Sequence, residues 1–70
     1  MTITLEHQRI GLKVLVERRR RGWTQEYLAQ RSGLSRARIS DIENGKESFT
    51  LTTLIKIGQA FEMDYIELLK

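Results

Sequence analysis

Thr24 to Lys46 reads TQEYLAQRSGLSRARISDIENGK, and its punctuation decides the fold. Thr24 suits the start of a helix, because a hydroxyl at that position accepts a backbone N–H that otherwise has no partner. Leu28 and Ala29 give the helix its apolar contacts, and Gly33 ends it, since glycine takes a positive φ without steric cost. Ser35 then caps a second helix, in which Ile39 and Ile42 face inward at helical spacing before Asn44-Gly45 stops it. Two helices crossing at about 90–120° over a 3–4-residue turn need close backbone approach, which the small Ala29 permits. Every local signal agrees on a helix-turn-helix.

Outward from this stretch the chain continues to read as helix. Five helices are expected, over about Glu6–Arg21, Gln25–Arg31, Arg36–Glu43, Leu51–Phe61 and Tyr65–Leu69. Thr50 caps the fourth, whose Leu54, Ile57 and Phe61 follow the i, i+3, i+7 stripe of an amphipathic helix. Asp64 opens the fifth, with Glu67 three residues on in a capping-box pattern. The core is expected to draw on Val14, Trp23, Leu28, Ala29, Leu34, Ile39, Ile42, Leu51, Leu54, Ile57, Phe61, Ile66 and Leu69. On the first helix, Ile3, Ile10 and Val14 share a side with Glu17, and Leu15 sits well off it. Thr2-Ile3-Thr4-Leu5 alternates in a way that also suits a short strand.

Seventy residues imply one domain, taken as 1–70, with its helix-turn-helix at about 24–44. Without cysteine there can be no disulfide, zinc finger or thiol nucleophile. His7 is the only histidine and has no partner cluster, so it reads as a surface residue. No residue set suits acid–base or nucleophilic chemistry, so neither enzymatic activity nor a cofactor or metal is expected. No apolar run approaches the ~20 residues of a membrane span, and no signal sequence opens the chain; both fit the cytoplasm.

The net charge of +3 is unevenly distributed. Residues 1–46 carry ten Lys/Arg against five Asp/Glu, a balance of +5, while residues 47–70 carry two against four, a balance of −2. A phosphate-facing surface requires such an asymmetry, with the helix-turn-helix in the basic part.

The stretch resembles the phage repressor and Cro type of DNA-binding domain, also called the xenobiotic-response-element family. The resemblance rests on Thr24-Gln25-Glu26, on the Ala29/Gly33/Ser35/Ile39 spacing and on Ile42-Glu43-Asn44-Gly45-Lys46, and it runs from near Ile10 to Leu69. It implies an all-α, compact five-helix domain that binds double-stranded DNA and regulates transcription. Carried over residue by residue, base contacts fall on Arg36, Ala37, Arg38, Ser40 and Asp41, in the helix after Ser35. Phosphate contacts fall on Thr24, Gln25, Ser35, Asn44 and Lys46. The resemblance further implies a buried pair between Arg18 and Glu43, and it places a leucine where this chain has Glu17.

The chemistry favours Arg36 as the main reader, because a guanidinium pairs bidentately with the O6 and N7 of guanine. Ala37 offers a methyl group to thymine, and Arg38 suits either a base or a phosphate. Asp41 is repelled by phosphate unless it accepts from cytosine N4, and pairing with Arg38 one turn away is the safer assignment. Arg19 to Arg21 read as solvated, with one of them within reach of the DNA backbone, because successive residues turn by about 100° and cannot share one ligand.

Family members of this type pair through their acidic end, which implies a homodimer on a palindromic operator through Met63, Tyr65, Ile66 and Leu69, with Ile3/Leu5 as the competing surface. The chain is expected to carry no separate ligand-sensing domain, like Cro, restriction–modification controllers and antitoxins. The rival class is a module that grips a partner protein such as a toxin, with DNA binding secondary. An RNA-binding role for the arginine run is a further alternative.

Overall fold

A computed structural model describes residues 3–70 and contains four α-helices and a short 3₁₀ segment. They are α1 (Leu5–Arg20), α2 (Gln25–Ser32), α3 (Arg36–Glu43), α4 (Leu51–Ala60) and the 3₁₀ turn Tyr65–Leu69. No strand occurs among the described residues, and no helix of theirs is long and apolar enough to cross a membrane. The α3 helix lies against both α1 and α2, α2 packs on α4, and the 3₁₀ turn closes over α4 and α1.

All four α-helices begin in the same way. Thr4, Thr24, Ser35 and Thr50 each accept the backbone N–H three residues ahead, from His7, Tyr27, Arg38 and Thr53. Such a cap is typically worth about 1 kcal/mol. Thr24, Ser35 and Thr50 cap where the sequence places them. Thr4 starts α1 at Leu5, one residue before the expected Glu6, so the alternative of a short strand is not taken up at Ile3–Leu5; Thr2 lies outside the described residues.

His7 accounts for this difference. Its Nδ1 accepts the Thr4 backbone N–H at 3.2 Å while Thr4 Oγ1 accepts the His7 N–H at 3.2 Å, a reciprocal capping box. The other ring nitrogen, Nε2, lies 3.3 Å from the Phe49 carbonyl, and the ring stands edge-on to the Phe49 ring at 4.9 Å. His7 is therefore a structural tie between α1 and the segment before α4, not an idle surface residue.

Val14, Leu28, Ile39, Ile42, Ile57, Phe61 and Leu68 are fully buried, with Ile10, Ala29, Phe49, Leu54 and Ala60 around them. Trp23 and Leu34 are only partly buried against this core. Three residues expected inside are outside. Leu51 is 58% exposed, and Phe49 supplies the apolar anchor ahead of α4 instead. Ile66 and Leu69 are exposed because the last segment is 3₁₀ and not α. At three residues per turn, positions i and i+3 eclipse, so Tyr65 and Leu68 face the core together while Ile66 and Leu69 face out. Asp64 caps this turn through the Ile66 N–H, without the expected box to Glu67.

Along α1 the inward stripe is Ile10, Val14 and Arg18, which moves Glu17 to the edge. Glu17 is held by Arg20 and Arg21 on the next turn. Burial alone would push its carboxyl up, but the hydrogen bonds and charges of Arg21 and Arg20 keep it below its ordinary value. The resulting contribution to stability is present at neutral pH and is lost as pH falls through that lowered pKa. Arg21 also lies over the Trp23 and Phe61 rings, so it is more than a solvated charge.

Where α1 crosses α3 the two backbones touch. A Cβ on Gly11 would stand 2.0 Å from the carbonyl oxygen of Ile42. Gly11→Ala should therefore force the helices apart, at the about 1–3 kcal/mol or more typical of overpacking. In a domain of this size that lowers the melting temperature by roughly 4–8 °C per kcal/mol, readable by thermal circular dichroism. A variant that melts with the parent would show that α1 and α3 separate without loss.

Candidate nucleic-acid interface

The connection between α2 and α3 is as tight as its sequence demands. Gly33 takes the left-handed conformation (φ 76°) and its N–H bonds the Ala29 carbonyl at 2.9 Å, closing α2. Two residues later Ser35 Oγ accepts the Arg38 N–H at 3.1 Å, and α3 begins. At the far end of α3, Gly45 N–H bonds the Ile42 carbonyl and Lys46 N–H bonds the Asp41 carbonyl, at 3.2 and 2.9 Å. This pair of bonds is a Schellman motif, which requires the left-handed backbone that Gly45 supplies (φ 68°).

The inward face of α3 carries Ile39 and Ile42, and it ends in a buried charge. Glu43 is only 5% exposed. Its carboxylate accepts Arg18 Nε–H at 2.7 Å and Nη2–H at 3.0 Å, a bidentate pair, and Gln25 Nε2–H at 3.0 Å. Arg18 Nη1 also donates to the Trp23 carbonyl at 2.7 Å. One cluster thus ties α1, the α1–α2 turn, the first residue of α2 and the last residue of α3. The implied Arg18–Glu43 pair is present, with Gln25 as its third member.

The outward face of α3 presents Arg36, Ala37 and Asp41 to solvent, with Ser40 half-buried beside them. Arg36 makes one loose ion pair, 3.7 Å from Glu26, with both side chains well exposed. Such a surface pair is worth about 0–1 kcal/mol and leaves the guanidinium easily redirected. Asp41 does not pair with Arg38. Arg38 instead reaches the α3–α4 loop and α4, with Nε 2.9 Å from Glu47 Oε1 and Nη2 3.2 Å from Thr53 Oγ1. Among the described residues Asp41 has no ion-pair partner within 4 Å.

The remaining candidates flank this face. Thr24 and Ser35 accept their cap N–H groups and keep their own O–H to donate. Gln25 gives one amide hydrogen to Glu43, and its second hydrogen and carbonyl remain. The Asn44 amide turns back onto the Ser40 carbonyl at 2.9 Å, and Lys46 is exposed. Met63 and Tyr65 pack against the core on the acidic end, while Ile66 and Leu69 stand in solvent. Glu26 and Glu47, the acidic neighbours of Arg36 and Arg38, were not legible as site residues, because nothing in their local spacing marks the pairing.

A helix-turn-helix family model matches residues 16–68. The chain belongs to the HTH_3 helix-turn-helix family. It is thus a helix-turn-helix domain of the kind found in DNA-binding transcription regulators. Within the HTH_3 family, Antitoxin HipB of Escherichia coli (strain K12) is 46% identical over 46 residues, covering 66% of this chain and 52% of the antitoxin. The competence pilus inhibition repressor of Acinetobacter baylyi is 40% identical over 52 residues, covering 74% of this chain and 47% of the repressor. The chain spans about half the length of these two relatives. The restriction-modification controller protein C.AhdI from Aeromonas hydrophila superposes with a TM-score of 0.88 at 28% identity, covering 93% of this chain and 98% of the controller.

The Glu43 cluster gives this HTH_3 domain a sharp stability test. Glu43→Ala strands Arg18 in the interior, and breaking a buried pair from one side costs about 3–5 kcal/mol. Urea denaturation should show that loss, and a parent-like midpoint would mean that water reaches Arg18 freely.

Proposed function

We propose that the chain binds duplex DNA sequence-specifically as a transcription regulator, by laying the N-terminal part of α3 in the major groove. The observation that carries this reading is the two-faced α3: Arg36, Ala37 and Asp41 exposed on one side, and a buried, bidentate Glu43 fixing the other. Arg36 forks onto guanine O6 and N7, and the Ala37 methyl rests on a thymine methyl. Ser40 and Asp41 follow one turn on, where Asp41 accepts from cytosine N4. Thr24, Gln25, Ser35, Asn44 and Lys46 bond backbone phosphates and fix the register. The N-terminal end of α2 adds a favourable place for one of those phosphates. No chemistry on a substrate is involved, and a DNA target places the protein in the cytoplasm.

The functional unit in this reading is a homodimer on a two-fold operator, with reading helices about 34–36 Å apart and half-sites centred about 10 base pairs apart. The second copy docks on the acidic end, where Ile66 and Leu69 are exposed and Leu12 and Val16 of α1 add apolar surface, at 55% and 56% exposure. Leu12 and Val16 line a groove with Met63 and Leu68, and Lys13, Glu17 and Glu67 give it a mixed-sign edge that suits a copy of itself. A second reading comes from the likeness to Antitoxin HipB: a domain that also holds a cognate toxin. Recovery of one stoichiometric protein partner without salt-sensitive DNA binding would favour it.

In vitro selection from a random duplex pool tests the main reading. Arg36→Ala should cost about 1–3 kcal/mol on the selected site and relax preference at one base pair. Lys46→Ala should weaken all sequences alike and lower the salt slope by about one. The same base preference with and without Arg36 would remove it as the reader. One chain saturating a single non-palindromic half-site would exclude the dimer.

A further inference from the structure

Arg38 stands in the first turn of α3, yet its guanidinium is turned onto its own protein. One side of the contact is firm: Nη2 donates to Thr53 Oγ1, which is buried and lies 3.3 Å from Thr50 Oγ1, the cap of α4. The other side is open. Glu47 follows Lys46 directly in the α3–α4 loop, and the two ion-paired side chains keep 36% and 34% of their surface exposed. A carboxylate in that place is costly for a surface meant to approach phosphates. It sits beside Lys46, on the edge of the basic part of the chain, where its charge subtracts from the field that attracts DNA.

The geometry of the pair supplies a reason. Glu47 offers Arg38 an anionic oxygen at 2.9 Å, which is what a DNA phosphate also offers. The pair is partly exposed and made through a single hydrogen bond, so a phosphate can replace the carboxylate. Glu43, by contrast, is bidentate, buried and triply bonded, and no phosphate can reach it. Arg38 retains unused N–H donors beyond those given to Glu47 and Thr53.

We propose that Glu47 is an intramolecular stand-in for a DNA phosphate. In the free chain it neutralises Arg38; on the duplex Arg38 leaves it for a backbone phosphate beside the α3–α4 loop, with Thr53 holding the guanidinium near that position. Arg38 is then a phosphate contact and not a base reader, and Glu47 sets how strongly the domain grips DNA of any sequence. The inference rests on the DNA-binding reading above and assigns a regulator of the same surface.

The test is duplex binding by the parent chain, Glu47→Gln, Arg38→Met and the double variant, each titrated with salt at a temperature where it is folded. Exchange on binding releases one cation but leaves a carboxylate that recruits another. Glu47→Gln removes the second half of that balance, so it should tighten binding to random-sequence duplex by roughly 3–10-fold at low salt and steepen the salt slope by about 0.9. The gain should be smaller in the Arg38→Met background, where there is no guanidinium to release. An equal gain in both backgrounds reduces Glu47 to simple repulsion, and an unchanged or weaker Glu47→Gln makes it a fixed bracket; either overturns the proposal. A parent with no salt-sensitive duplex binding defeats the DNA reading itself, and this proposal with it. If Glu47→Gln does not fold, the Arg38 Nε–H resonance of the parent decides. It should move on adding random duplex, and an unmoved resonance at saturation contradicts the exchange.

Discussion

The buried Arg18–Glu43 pair is the constraint on which the rest of the structure depends. Two opposite charges withdrawn from water are tolerable only when each satisfies the other, so their geometry leaves little freedom. Here the carboxylate closes α3, the guanidinium comes from α1, and Gln25 at the head of α2 bonds the same oxygen that accepts Arg18 Nη2–H. Three helices thereby meet at one point. The orientation of α3 relative to α2, which determines what the outward face can touch, is fixed from behind. Gly11 lets α1 come close enough for this, because its missing side chain is the space that the Ile42 carbonyl fills.

Burial sorts the other ion pairs by what they can do. Glu17 with Arg20 and Arg21 tidies the end of α1, where basic residues also suit the negative end of the helix dipole. Arg36–Glu26 and Arg38–Glu47 lie at the outward face and keep substantial exposure, so both carboxylates hold their arginines loosely, although Thr53 also anchors Arg38. In the proposed reading Arg36 leaves its carboxylate for guanine and Arg38 leaves its own for a phosphate, which loose pairs of this kind permit.

Much of this was legible in the sequence wherever the cause is local. Thr24, Ser35 and Thr50 bond N–H groups three residues ahead, and Gly33 and Gly45 supply left-handed turns, so each feature is written within a few residues of itself. The Arg18–Glu43 pair spans 25 positions and came from family resemblance, not from spacing. The Thr4–His7 capping box is not legible because a histidine replaces the usual Glu or Gln, and its second partner, Phe49, is 42 positions away. Leu68 faces the core where Ile66 and Leu69 are expected, because the segment is a 3₁₀ turn whose three-residue period nothing in its sequence announces. Helical spacing points Arg38 to Asp41, whereas the loop after Lys46 brings in Glu47.

The central claim is that the outward face of α3, held from behind by Glu43, is the surface that meets DNA. Amide chemical shifts of the ¹⁵N-labelled chain, followed to saturation with a selected duplex, test it most directly. The account predicts large changes at Thr24, Gln25 and Ser35 to Asp41, with further changes through Lys46. Resonances from Arg36 to Asp41 that stay in place while another face of the molecule responds would contradict it.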